Sequence, residues 1–114
     1  MTMTIHKQMV DEGPALFYNP SFRATLETHL SLLREHKDTD FLTIESYPAH
    51  KYEYDFYGLL SFYKVEPKYH WLILRMNEMT SPPEYTSDIT AILIPSNAVV
   101  GSIVQAYRTS NKNN

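Results

Sequence analysis

Residues able to do chemistry are few in this chain and widely set. Glu53 and Asp55 stand two apart, so on an extended strand both carboxylates leave from one face, the minimal layout for general acid and base work. Such a pair also needs a cleft that perturbs a pKa, and the plainer assignment is a solvated strand edge for Glu53 and a helix cap for Asp55. His29 and His36, seven apart, share a helix face, but no third metal ligand stands nearby. His50 and His70 read as histidines satisfied at the surface or in the core rather than as bases. The chain has no HExxH, no GxSxG and, with three glycines, no phosphate-cradling loop. Having no cysteine, it has no disulfide, no thiolate zinc site and no cysteine nucleophile. An enzyme is disfavoured, and no catalytic residue, metal or cofactor is expected.

The 114 residues fit one compact soluble domain, or a small domain with extensions. Ten Lys and Arg against 13 Asp and Glu leave a net charge of −3 with no basic run, which argues against nucleic acid, whose phosphates demand many cations. Apolar residues nowhere run long enough for a membrane span, and the N-terminal stretch lacks the apolar core of a secretory signal. The unusual part of the composition is aromatic. Nine Tyr, five Phe and one Trp make up 13% of the chain, large surfaces with polar ends that suit burial against partners.

Short elements must position these residues. Residues 1–18, broken at Gly13-Pro14, read as an arm with a short strand near Met3 to Gln8. Asn19-Pro20 starts a helix whose apolar stripe is Phe22, Leu26, Leu30 and Leu33, predicting one helix over 20–37. Phe41 to Ile44 reads as a strand and His50 to Tyr54 as a second, with Tyr52 and Tyr54 on one face. Asp55 caps a helix bearing Phe56, Leu59, Leu60 and Tyr63. Pro67 opens another over Lys68 to Met76, ended by Asn77 as a residue able to adopt left-handed geometry. Ser81-Pro82-Pro83 enforces an extended loop, and Thr90 to Ile94 is a β-branched strand stopped by Pro95. Ser96-Asn97 caps a last helix with Val99, Val100, Ile103, Val104 and Tyr107 on one side, before a polar tail from Arg108 that is expected to be mobile. The core should gather Phe56, Leu60, Leu72, Met76, Ile92 and Ile94.

The stretch from Tyr52 to Pro95 carries Tyr54-Asp55-Phe56-Tyr57-Gly58-Leu59-Leu60, Pro67-Lys68-Tyr69-His70-Trp71-Leu72-Ile73, Asn77, Ser81-Pro82-Pro83 and Ile92-Leu93-Ile94-Pro95. In this it resembles a LysM-like module, and more closely the LysM-like domain of baseplate wedge proteins of contractile-tailed phages. The resemblance implies an α+β fold with a LysM-like βααβ core over 46–96. An arm, amphipathic helix and short strand over 1–45 would precede it, and a C-terminal helix and polar tail over 97–114 would follow.

The same resemblance implies a structural virion protein, a baseplate wedge or tail assembly adaptor, made in the host cytoplasm and carried in the tail baseplate. Its partners would be other tail and baseplate proteins in a symmetric assembly of multiple copies. The candidate interface residues are Trp71, Tyr63, Tyr69, Tyr85 and Tyr107, with 1–18 and 97–114 as interface segments. The alternative is the ordinary LysM role of binding N-acetylglucosamine chains of peptidoglycan or chitin. That groove maps here to Asp55, Phe56, Met79, Thr80, Ser81 and Pro82.

Overall fold

Asn19 opens the first helix as its side chain allows: Oδ1 accepts from the Ser21 and Phe22 amides at 2.8 and 3.2 Å, and Pro20 occupies the first turn, where no amide is needed. The structure, a computed structural model, describes residues 15–112, so the strand expected near Met3 to Gln8 lies outside the described residues. The stripe Phe22, Leu26, Leu30 and Leu33 is buried, but on two helices, α1 (Pro20–Thr28) and α2 (Leu30–Glu35), rather than one over 20–37. The break has a local cause. Thr28 Oγ1 donates to the Thr25 carbonyl and His29 Nδ1 lies 2.8 Å from it, whereas a continuous helix gives that carbonyl to the His29 amide. The amide turns to Leu26 instead.

Strands β1 (Asp40–Thr43) and β2 (Ala91–Ile94) pair antiparallel, Phe41 opposite Leu93 and Leu42 opposite Ile92. The segment from His50 to Tyr54 is not a strand. Ser46–Lys51 forms helix α3 with Pro48 in its first turn, where a missing amide is harmless, and Tyr54 is left-handed at φ 64°. Helices α4 (Phe56–Phe62) and α5 (His70–Met76) follow, the latter entered through a 3₁₀ turn at Pro67–Tyr69. Three helices therefore lie between the paired strands, where a βααβ order has two, and the partner of β2 starts at Asp40.

Both α4 and α5 end by the same device. Lys64 and Glu78 are left-handed at φ 64°, and the amides of Val65 and Met79 reach back to the Leu60 and Leu74 carbonyls at 2.9 and 3.1 Å. Asn77 is thus the last residue of the turn at φ −95°, and Glu78 takes the left-handed place expected of it. Ser81 is extended, but Pro82–Glu84 close into a 3₁₀ turn rather than an extended loop. Helix α6 (Asn97–Lys112) starts on Ser96, whose Oγ accepts from the Val99 amide at 3.4 Å, and it continues through Arg108 to Lys112 where a loose tail was expected.

Two apolar clusters fill this α+β domain. One packs Ile44, Phe56, Leu60, Leu74, Tyr85 and Ile92 beneath the sheet; the other joins Phe22, Leu26, Leu33, Leu72, Met76 and Ile103 between α1, α2, α5 and α6. Helix α5 supplies both, Ile73 and Leu74 to the first and Leu72 and Met76 to the second. The six residues expected in one core are therefore divided, with Ile94 half-buried at the rim of the first cluster. Phe17 is buried in the second cluster, so the last residues of the arm expected over 1–18 belong to the packed domain; residues 1–14 lie outside the described residues.

Arg75 ties α5 to α1, its Nε and Nη2 donating to the two Glu27 oxygens at 2.6 and 3.0 Å. The hydrogen bond from Arg75 holds the Glu27 carboxyl below its ordinary value of 4.5. A depressed folded pKa contributes stability above the unfolded value that is lost as pH falls through the folded one. With the Glu27 side chain 38% exposed, solvent screening limits the pair to about 1 kcal/mol or less. Thermal melts should therefore separate wild type from Glu27→Gln slightly at neutral pH and converge once the solution is acid enough to protonate Glu27.

Candidate functional site

Most of the residues first considered for chemistry have a structural task, while His50 is exposed at the end of α3. Glu53 accepts from the Ser87 amide at 3.1 Å, and Asp55 Oδ1 accepts from the Gly58 amide at 3.0 Å at the start of α4, so the two carboxylates are spent on separate loops. His70 is buried with Nε2 2.9 Å from the Val65 carbonyl and its ring 5.4 Å from that of Tyr57. Among the described residues no group of three His, Asp or Glu side chains stands close enough to hold a metal ion, and no helix is long and apolar enough to cross a membrane.

The segment mapped to a sugar groove is largely closed. Phe56 is fully buried with its ring 5.7 Å from that of Tyr85, and Met79 is buried beside them, which corrects their placement in a groove. Asp55 and Thr80 are exposed, and Ser81 and Pro82 are half-buried. The Thr80 amide and hydroxyl and the Ser81 hydroxyl all donate to one carboxylate oxygen of Glu84, and these hydrogen bonds hold the Glu84 carboxyl below its ordinary range. Polar groups that would orient a sugar are thus engaged within the loop.

The candidate interface aromatics fare differently. Tyr85 is fully buried and its hydroxyl donates to the Ile89 carbonyl at 3.0 Å, so it is a core residue and offers no surface to a partner; burial raises its hydroxyl pKa. Tyr63 is half-buried, its hydroxyl accepting from the Glu45 amide at 3.0 Å. Tyr107 leans on Phe22 with ring centres 5.0 Å apart, and Tyr69 on Phe17 at 5.2 Å. Trp71 is half-buried with the Arg23 guanidinium 4.8 Å above its ring.

The most exposed aromatics, Phe41 at 71%, Tyr47 at 66% and Tyr54 at 64%, are not among the candidate interface residues. For Phe41 a signal existed: in a strand it alternates with Leu42, and only one of them can face the core. The geometry around it is set from the far side of the sheet. Asn77 Oδ1 accepts from the Leu93 amide at 2.8 Å, and its Nδ2 donates to the carbonyls of Leu93 at 3.1 Å and Ile73 at 2.7 Å. Asn77 thereby occupies the outer edge of β2 at Leu93. Since Leu93 turns both backbone groups away from β1, Phe41 opposite it turns its own outward as well, and Thr43 two residues on does the same. On that edge of β1 the Phe41 and Thr43 backbone groups meet no partner among the described residues.

Gly58, in the Tyr57-Gly58 pair of the motif, is required by this packing. A Cβ there would lie 2.2 Å from Asp55 Oδ2 and 2.9 Å from Tyr52 Cδ1, so the cap of α4 must give way. Gly58→Ala is expected to lose about 1 kcal/mol of capping, partly offset by alanine's better helix propensity, and urea melts should show a small net destabilisation. No protein-family model matches the chain, and no curated protein or solved structure does either.

Proposed function

We propose that this protein is a non-enzymatic assembly adaptor that works through protein–protein contacts, a structural component of a contractile phage tail in the manner of LysM-like baseplate wedge proteins. The observation that carries the reading is the open outer edge of β1 with Phe41 71% exposed upon it. An edge with unpaired backbone groups is a template for another chain's strand, and proteins that stay alone blunt such edges with charge, proline or a bulge. Here Asn77 occupies the opposite edge at Leu93, while on this one Phe41, opposite Leu93, has no such partner among the described residues and carries a large exposed ring. Support for the tail comes from the motif between Tyr52 and Pro95. The sugar-binding alternative is less favoured, because Phe56 and Met79 are interior and Thr80 and Ser81 are held by Glu84.

The test uses tail particles assembled with an epitope-tagged copy of the chain. Wild type should co-sediment with particles and be located at the baseplate by antibody labelling; a chain absent from them refutes the reading. Phe41→Lys, at an exposed position, should leave the melting free energy within about 0.5 kcal/mol and yet deplete the chain from particles. Normal incorporation of that variant would remove the β1 edge as a contact.

A further inference from the structure

Arg75 meets a carboxylate with two hydrogen bonds, but two other cations of this fold do not. Arg23 lies with its guanidinium carbon 4.8 Å from the Trp71 ring centre and 5.5 Å from that of Tyr18, steered there by an Nε hydrogen bond of 2.9 Å to the Phe17 carbonyl. Lys68 Nζ sits 5.0 Å from the Tyr69 ring centre and 5.7 Å from that of Phe17. Among the described residues neither has a carboxylate oxygen within ion-pair distance. The two flank one patch: Tyr18 and Lys68 line a shallow hollow of about 230 Å³ with Pro67 and Glu66.

We propose that the face formed by Tyr18, Arg23, Lys68 and Trp71 docks an acidic peptide segment of a partner protein. The inference rests on the adaptor reading and names the chemistry of one partner. Charge complementarity selects the occupant. Cations held against aromatic faces keep their outward donors free, and a carboxylate that reaches them replaces water on groups already oriented, so little side-chain freedom remains to be lost. Arg23 offers guanidinium N–H groups in fork geometry and Lys68 a point charge, which together fit two acids a few residues apart. The aromatic rims supply apolar area for a residue between them. Glu66 on the rim repels either anion and confines acids to the Arg23 and Lys68 sides; a nucleic acid is the poorer fit, since two cations neutralise few of its regularly spaced phosphates.

The test titrates the ¹⁵N-labelled full chain with a capped hexapeptide carrying two glutamates and one aspartate around a phenylalanine, and with its Gln and Asn counterpart. The acidic peptide should shift the Trp71 indole N–H and the Tyr18 and Lys68 amides, and the effect should weaken with added salt. Lys68→Gln, which keeps the Arg23 contacts, should weaken binding about threefold, and Arg23→Lys should weaken it as well. Equal shifts from the uncharged peptide would overturn the inference. So would shifts from a single-stranded oligonucleotide that the acidic peptide fails to give. If Asp11→Asn with Glu12→Gln, without any peptide, moves the same signals, the chain's own acidic pair is the occupant and the partner is ruled out. A chain that enters tail particles but ignores the acidic peptide loses this site alone, whereas a chain missing from particles loses the adaptor reading whatever the titration gives.

Discussion

Asn77→Ala is expected to lower the unfolding free energy by about 2–4 kcal/mol, because one side chain satisfies backbone groups on two elements. Its Oδ1 and Nδ2 serve the Leu93 amide and carbonyl, and Nδ2 also holds the Ile73 carbonyl, fastening the end of α5 to the outer edge of β2. Alanine leaves the Leu93 groups without these partners on a strand half-buried against the second cluster. Three hydrogen bonds at a net worth of about 1 kcal/mol each, at a half-buried edge that water partly reaches, give the range stated. Asn77→Asp is the sharper probe. It keeps the acceptor for the Leu93 amide but, ionised, faces the Ile73 and Leu93 carbonyls with no proton to donate, so it should be no better than alanine at neutral pH. Urea titrations of both variants check this; a loss under about 0.5 kcal/mol for alanine would mean that the side chain does not bridge helix and strand.

Phe22→Ala should cost about 3–5 kcal/mol, the usual range for an aromatic removed from a closed core. The ring is fully buried, edge-on to Phe17 at 5.3 Å and to Tyr107 at 5.0 Å, so it joins α1 to the segment before it and to α6. For a chain of this size that is a large part of the total stability, and the melting temperature should fall by about 15 °C or more. Phe22→Leu keeps most of the volume and should lose less than half as much. A melting temperature unchanged in the alanine variant would show that α1 and α6 do not pack around this residue.

Elements with local punctuation were readable in the chain. Asn19-Pro20, Asp55 and Ser96 each cap the helix they were expected to cap, and both strands fall on the β-branched runs assigned to them. What failed was set by distant or competing contacts. The split at His29 arises from side chains taking the Thr25 carbonyl, which leaves the apolar spacing of the stripe untouched. Helix α3 was hidden because Pro48 reads as an interruption when it stands in a first turn, and because Tyr52 and Tyr54 alternate as in a strand. Asn77 stands out in the sequence for its place at a helix end, yet its partner Leu93 lies 16 residues away on β2, and no local pattern announces that. The surface features were least readable. Burial of Phe56, Met79 and Tyr85 and exposure of Phe41 follow from which way the helices and strands turn, which residue type alone does not say.

Helix α5 has only seven residues, too few to persist in water without neighbours, and it is clad by apolar side chains on opposite sides. Neither half of the domain can therefore come apart and leave the other intact: withdrawing α1 and α6 strips Leu72 and Met76, and withdrawing the sheet strips Ile73 and Leu74. The slowest-exchanging amides should lie in this helix, released only when the whole domain opens. A tug arriving at the β1 edge and one arriving through α6 would converge on the same seven residues, and the domain would transmit the pull as a rigid link until it gave way all at once.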